Sequence, residues 1–176
     1  MRYKVADLVK APPGNARWVD VDDNESVGHD GFQVVSPIQG QVRLMRDPGG
    51  ILVQGKISTT ITWNCSRCLE PLALPIDMEL SEHFRPTVAI PGGALVLADP
   101  DEEREAITEI DERHMLDLSG VIWQNLELAL PATALCRPDC AGLCPQCGAN
   151  QNIETCGCEP PADSRWSGLA ELIRQS

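Results

Sequence analysis

Cysteine is the residue type best suited to chemistry in this chain of 176 residues, because its eight copies fall in two groups. One group is the Cys-x-x-Cys pair formed by Cys65 and Cys68. The other six follow later, at Cys136, Cys140, Cys144, Cys147, Cys156 and Cys158. Two thiolates on one tight turn can converge on a tetrahedral ion at about 2.3 Å. The spacing therefore predicts that all eight cysteines are metal ligands.

The expected compartment agrees with metal binding. The chain opens without an apolar stretch of signal-peptide length, and no apolar run reaches the roughly 18 residues of a membrane span. We therefore expect a cytoplasmic location. Thiols stay reduced in the cytosol, so the cysteines favour metal sites over a disulfide framework.

Eight thiolates divide into two tetrahedral zinc sites of four cysteines each. In the partition that we favour, the last four cysteines close a local site within fifteen residues, at a small loss of loop entropy. The second site then comprises Cys65, Cys68, Cys136 and Cys140. The alternative joins the two Cys-x-x-Cys pairs, Cys65 to Cys68 and Cys144 to Cys147, in one ribbon.

Four sulfurs around each ion leave no position for water or substrate, so we expect structural rather than catalytic sites. Iron–sulfur centres use the same ligands, and the cysteines alone do not distinguish zinc from iron. A redox role for Cys65 and Cys68 is less favoured, because a thioredoxin-like pair needs a strand-to-helix junction and this pair lies between two predicted strands.

Alternation of apolar and polar residues from Ile38 to Phe84 predicts an antiparallel meander of three strands, with a turn at 46–50. Only Glu82 breaks the inward phase of the third strand. Short strands are also predicted at 3–8 and 17–21. These strands supply the sheet on which the first cysteine pair is placed.

A helix is predicted after Asp117, which can cap it, and Pro131 ends it. Its apolar positions are Leu118, Val121, Ile122, Leu126 and Ala129. A second helix is predicted from Asp163 or Ser164. The expected fold class is α+β: an antiparallel β-meander packed by one or two helices, with a C-terminal cysteine-rich zinc-binding segment.

The sequence predicts that the chain is organised in two parts. Residues 1–130 form a β-rich domain with its covering helix and an acidic loop over about 86–113. Residues 131–176 form the zinc-binding segment and the C-terminal helix, tied to the pair at 65–68.

The chain has 26 acidic and 14 basic residues, which give a formal charge of −12. This charge argues against a protein that holds nucleic acid mainly by neutralising phosphates, and it suits basic partners. The few candidate RNA contacts are Arg43, Arg46, Lys56 and Arg67, of which Arg67 lies inside the first cysteine pair. Strand phase predicts that Trp63 faces the core.

The sequence offers no positive case for an enzyme. It contains no Gly-x-Ser-x-Gly, phosphate loop or dinucleotide fingerprint. His29, His83 and His114 lie far from the cysteines, so we expect surface or hydrogen-bonded histidines rather than ligands or bases.

Several motifs together resemble one known family. They are Gly50-Ile-Leu-Val-x-Gly55, Cys65-Ser-Arg-Cys68-Leu-Glu-Pro71 and Cys140-Ala-Gly-Leu-Cys144-Pro-Gln-Cys147-Gly-Ala-Asn150, followed by Cys-Gly-Cys158. In this combination, which extends over nearly the whole chain to Trp166, the sequence is similar to the bacterial and plastid YceD family, the large ribosomal RNA subunit accumulation proteins.

The resemblance implies a non-catalytic ribosome-biogenesis factor that supports synthesis, processing or accumulation of large-subunit (23S) ribosomal RNA. Its implied partners are the precursor of that RNA, a basic ribosomal protein, or both. The cysteines carry over as zinc ligands, and no catalytic residue carries over. The alternatives are a thiol-redox or zinc-dependent enzyme, and a zinc-ribbon transcription module.

Overall fold

The computed structural model describes residues 1–23, 28–29, 32–87 and 106–158. The chain divides into two compact units. The first comprises Met1–Trp63 and Pro71–Ala132, and the second comprises Asn64–Glu70 and Thr133–Ser176. All eight cysteines belong to the second unit.

The described part of the first unit is mostly β-sheet with few helices. Its elements are β1 (Arg2–Lys4), α1 (Ala6–Lys10), β2 (Ala16–Asp23), β3 (Gly28–His29), β4 (Phe32–Val34), β5 (Ile38–Arg46), β6 (Ile51–Asn64), β7 (Pro71–Pro86), a 3₁₀ turn (Ala106–Thr108), β8 (Glu109–Ile110), β9 (Met115–Asp117) and α2 (Ser119–Leu128).

Strands β5 and β6 pair in antiparallel register from Gln39 opposite Ser58 to Arg46 opposite Ile51. Their backbones approach so closely at Gly40 and Gly55 that a Cβ at either position would collide with a carbonyl oxygen of the partner strand. Glycine is therefore the residue that allows this register.

The sheet contains more strands than the predicted meander. Strand β2 pairs antiparallel with β5, and β4 pairs antiparallel with β6. Strand β7 lies beside β6 and pairs in parallel with β8, and β8 and β1 both pair antiparallel with β9. These additional pairings join segments that are far apart in the sequence.

The strand predicted at 3–8 is wrong beyond Lys4, because Ala6–Lys10 is a helix. Val5, Leu8 and Val9 are all buried, and their spacing of three and four residues is that of one helix face. The strand predicted at 17–21 is present within β2.

The turn after β5 buries Arg46. Its side chain is 3% exposed, and its Nε and Nη1 donate to the carbonyl oxygens of Val9 at 3.2 Å and Gly50 at 3.0 Å. In the same turn, Asp47 accepts the N–H groups of Gly49 and Gly50 and lies 2.6 Å from His83 Nε2. Arg46, which was predicted as an RNA contact, is therefore buried in the structure, and its guanidinium is used inside the fold.

Helix α2 packs its apolar residues into the core, and Leu118, Val121, Ile122 and Leu126 are each at most 1% exposed. Asp117 Oδ1 accepts the Ser119 N–H at 3.0 Å just before the helix.

Glu82, the polar residue on the inward face of β7, is half-buried and accepts a hydrogen bond from the Asn125 amide at 3.5 Å.

The predicted acidic loop is described only at its ends. From residue 106 it contains the 3₁₀ turn and β8, in which Ile110 is fully buried. Residues 88–105 lie outside the described residues, as does the helix predicted from Asp163 or Ser164. None of the helices that the structure describes is long and apolar enough to cross a membrane.

Candidate metal centres

The second unit contains two four-cysteine clusters, in each of which all sulfurs lie within 4.8 Å of one another. Cluster A consists of Cys65, Cys68, Cys136 and Cys140, and cluster B consists of Cys144, Cys147, Cys156 and Cys158. This grouping is the partition that the sequence favours. The alternative ribbon, which joins Cys65 and Cys68 to Cys144 and Cys147, is not the grouping in the structure.

The sulfur spacing in cluster A fits a tetrahedral ion. Cys65 and Cys140 have Sγ atoms 3.8 Å apart, and Cys68 and Cys136 have Sγ atoms 3.6 Å apart. Four sulfurs at 2.3 Å from a central ion would be separated by about 3.8 Å. A disulfide requires about 2.05 Å, and all eight cysteines are free.

The two Cys-x-x-Cys turns have the same backbone hydrogen bonds. The Cys65 N–H donates to the Glu70 carbonyl and the Leu69 N–H donates back to the Cys65 carbonyl, both at 2.9 Å. In cluster B, Cys144 pairs in the same way with Ala149 and Gly148, at 2.8 and 2.9 Å. We call each turn a knuckle, residues 65–70 and 144–149.

Both knuckles require a left-handed residue directly after the second cysteine. Gly148 takes this place in the second knuckle with φ of 75°, and Leu69 takes it in the first with φ of 61°. Glycine adopts this conformation freely, whereas leucine is strained by about 1–2 kcal/mol. Leu69 is also 62% exposed, so burial does not explain why leucine is present.

Arg67 connects the first knuckle to the segment that carries Cys140. Its Nη1 donates to the Cys140 carbonyl at 2.7 Å, and its own carbonyl accepts the Leu143 N–H at 3.1 Å. Ser66 and Ala134 add a second link, because the Ser66 N–H donates to the Ala134 carbonyl and the Ala134 N–H donates to Ser66 Oγ. Arg67 was predicted as an RNA contact, and the structure gives it a role in holding cluster A.

Asn152 supports cluster A in a way that the sequence analysis missed. Its Nδ2 donates to Cys140 Sγ at 3.3 Å, and its Oδ1 accepts the Ala141 N–H at 2.8 Å and Arg137 Nη2 at 2.7 Å. Amide donors to a ligand sulfur orient it and stabilise the thiolate. The only sequence signal was a polar Asn-Gln-Asn run between two cysteine pairs.

Backbone dipoles favour one thiolate in each knuckle. The N–H groups of Cys68 and Cys136 lower the pKa of the Cys65 thiol to about 6. In the same way, the N–H groups of Cys147 and Gln146 lower the pKa of Cys144 to about 6. The first cysteine of each knuckle is therefore prepared to bind a cation near neutral pH.

One thiol in each cluster has its pKa shifted in the opposite direction. Removal of its sulfur from water, together with hydrogen bonds to Cys68 and Cys140, raises the pKa of Cys136 to about 12. Hydrogen bonding to Cys147 and then removal from water raise the pKa of Cys158 to about 12. Four thiolates this close together require a cation to neutralise them, so the donor set fits a divalent metal ion in each cluster.

The remaining predicted contact residues lie on the sheet of the first unit. Arg43 is exposed on β5 and has no ion pair or hydrogen bond with any residue that the structure describes. Lys56 is exposed on β6 and pairs with Glu79 at 2.8 Å. Trp63, as predicted, packs against the core, with its ring centroid 6.3 Å from that of Phe32.

Among the residues that the structure describes, the exposed aromatic residue is Trp18 instead, which the sequence analysis did not select. It is 63% exposed on β2, and its Cα partner on β5 is Arg43. Side chains of paired residues project from the same face of a sheet. Trp18 and Arg43 are therefore neighbours on the solvent face.

Comparison with known proteins identifies the family. The profile described as large ribosomal RNA subunit accumulation protein YceD matches residues 53–173. An uncharacterized protein of Mycobacterium bovis is 32% identical over 178 residues, which cover 98% of this chain and 81% of the relative.

Two chloroplastic proteins, each named large ribosomal RNA subunit accumulation protein YCED homolog 1, are also similar. The one from Zea mays is 29% identical over 90% of this chain and 61% of its own length. The one from Arabidopsis thaliana is 26% identical over 80% of this chain and 50% of its own length. No solved structure matches the chain. The profile match covers more than half of the sequence, and the chain belongs to the YceD family.

Proposed function

We propose that the chain is a non-catalytic ribosome-biogenesis factor that supports synthesis, processing or accumulation of large-subunit (23S) ribosomal RNA. The observation that carries this proposal is the family match over residues 53–173, together with the names of the plant relatives. In this proposal, zinc occupies clusters A and B and holds the second unit in its folded form. The protein acts in the cytoplasm, where its thiols stay reduced.

A structural role for the metal is supported by the completeness of each donor set. Four cysteine sulfurs saturate a tetrahedral zinc ion and leave no position at which water or substrate could be activated.

We further propose that Trp18 and Arg43 take part in the contact with the precursor RNA. An exposed aromatic ring on a sheet face can stack on an unpaired base, and a neighbouring arginine can pair with phosphate. Arg43 is free to do so because its guanidinium has no partner among the described residues. The contact must be local, since the chain carries a charge of −12 and repels RNA at long range.

The test is depletion of the protein, followed by quantification of precursor and mature large-subunit RNA relative to small-subunit RNA. We expect mature large-subunit RNA to fall on depletion and to recover when the unmodified chain is supplied. Trp18→Ala with Arg43→Ala should rescue poorly. Lys56→Ala removes another candidate contact, whose charge is already paired with Glu79, and it should rescue better than the double variant. Unchanged large-subunit RNA after depletion would contradict the proposed function.

The nature of the contact is tested by affinity capture of the tagged chain from growing cells, with and without ribonuclease. Precursor RNA that is retained only by a chain with Trp18 and Arg43 intact would support direct contact. A basic ribosomal protein that survives ribonuclease would instead locate the primary contact on protein, as acidic surfaces also favour.

A further inference from the structure

Asn152 belongs to one cluster by its place in the chain and to the other by its contacts. It lies between Cys147 and Cys156, which are both members of cluster B. Its side chain nevertheless donates to the sulfur of Cys140, a member of cluster A. The residue that supports one metal centre is therefore carried by the loop that the other metal centre closes.

The loop 148–155 is folded against the segment between the clusters. The Gln151 N–H donates to the Gly142 carbonyl at 2.9 Å, and Leu143 and Asn150 form an antiparallel bridge. Asn150 Oδ1 accepts Asn152 Nδ2 at 2.8 Å and the Asn152 N–H at 3.0 Å, which fixes the orientation of the amide. These contacts aim Asn152 at Cys140 as long as the loop keeps this conformation.

A metal ion in cluster B would join both ends of the loop, because Cys147 precedes it and Cys156 follows it. Closing a loop reduces the number of conformations available to its residues. The loop of a loaded cluster B should therefore hold Asn152 in position more of the time, and cluster A gains a preformed hydrogen-bond donor.

We propose that the two metal centres are thermodynamically coupled through Asn152, so that metal binding at cluster B strengthens metal binding at cluster A. By linkage, binding at cluster A strengthens binding at cluster B by the same factor. The inference rests on the proposed metal sites and goes beyond them, since two independent structural zinc sites would show no coupling. Loss of groups that orient metal ligands typically weakens binding by about 10- to 100-fold, and we expect a coupling of about tenfold.

The experiment measures the Zn²⁺ affinity of cluster A in the full chain by competition with a chelator under reducing conditions. Protection of each cysteine from alkylation, read by mass spectrometry, assigns the bound zinc to a cluster. The same measurement is made on a chain with Cys156→Ser and Cys158→Ser, in which cluster B is disabled. Both chains are then measured again with Asn152→Ala added. Gln151→Ala is the matched control, because this neighbouring side chain is exposed.

Disabling cluster B should weaken cluster A about tenfold in the unmodified background and in Gln151→Ala. In Asn152→Ala, cluster A should already be weaker, and disabling cluster B should change it by less than about twofold. Asn152→Asp gives a second test in a side chain of the same size. It keeps an acceptor for the Ala141 N–H but loses the donors to Cys140 Sγ and Asn150 Oδ1, so it should also weaken cluster A.

The outcomes separate this inference from the proposed zinc sites. If the unmodified chain binds two zinc ions and disabling cluster B leaves the affinity of cluster A unchanged, the coupling is refuted and the metal sites stand. Equal behaviour of Asn152→Ala and Gln151→Ala would refute the role of Asn152. If neither cluster of the unmodified chain binds zinc, the metal sites themselves are refuted and the coupling with them.

Discussion

The left-handed residue after each Cys-x-x-Cys pair predicts that glycine is favoured over alanine at this position in both knuckles. Gly148→Ala places a side chain at φ of 75°, where no atom lies within 4 Å of the new Cβ. The change therefore tests backbone strain without a steric clash. Leu69→Gly removes the side chain at φ of 61° and is compared with Leu69→Ala, which keeps the strain.

The magnitude follows from two opposing contributions. A side chain in the left-handed region is unfavourable by about 1–2 kcal/mol, whereas glycine loses about 0.5–1 kcal/mol more backbone entropy on folding. Gly148→Ala should therefore destabilise its knuckle by about 1 kcal/mol, and Leu69→Gly should be more stable than Leu69→Ala by a similar amount. At ordinary positions in a chain, the order of glycine and alanine is the reverse.

Zinc affinity is the appropriate assay, because metal binding in such sites is coupled to folding of the knuckle. A difference of about 1 kcal/mol corresponds to about fivefold in affinity. Chelator competition should therefore show weaker binding at cluster B for Gly148→Ala, and tighter binding at cluster A for Leu69→Gly than for Leu69→Ala. Unchanged affinity for Gly148→Ala, together with weaker binding for Leu69→Gly than for Leu69→Ala, would refute the reasoning.

Three further predictions concern the first unit. Gly55→Ala should lower the unfolding free energy by about 2–3 kcal/mol, because the new Cβ meets the Gln41 carbonyl oxygen, and an unchanged urea midpoint would contradict this. Arg46→Ala should lower the unfolding free energy by about 2–3 kcal/mol because two buried carbonyls lose a charged donor. Its control, Arg43→Ala at an exposed position, should change the unfolding free energy by less than about 0.5 kcal/mol. Burial raises the pKa of Asp117, but hydrogen bonds from Arg2 and Ser119 outweigh burial and hold it below the ordinary value. The folded carboxylate therefore stabilises the protein above pH of about 4, so Asp117→Asn should lower the unfolding free energy at neutral pH by about 1 kcal/mol or less at this half-exposed site. The melting temperature of the variant should accordingly be lower at neutral pH, and the difference should shrink as the pH falls below about 4.

The sequence predicts the cysteine clusters well because their geometry is largely local. Cys144, Cys147, Cys156 and Cys158 are close in the chain, and removing them leaves one consistent set of four for the other site. The long strands and α2 are also predictable, since each has an extended apolar period. These features depend on spacing within a segment rather than on contacts between distant segments.

The features that the sequence analysis missed depend on contacts between distant segments. Trp18 shares the exposed phase of β2 with Asp20 and Asp22, but its neighbour Arg43 comes from β5, and no local pattern specifies that pairing. Arg46 is buried because the end of α1 presents the Val9 carbonyl to it, and α1 is too short to have a clear period. Asn152 contacts Cys140 through a loop conformation that depends on the fold of both clusters.

The central claim is that each cluster holds one zinc ion through four cysteine sulfurs, and it is tested most directly by metal analysis and X-ray absorption of the full chain purified under reducing conditions. We expect two zinc ions per chain, each with four sulfur neighbours at about 2.3 Å and no light-atom neighbour. Iron in place of zinc, a single ion per chain, or an oxygen neighbour in the first coordination sphere would contradict the account of two closed structural centres.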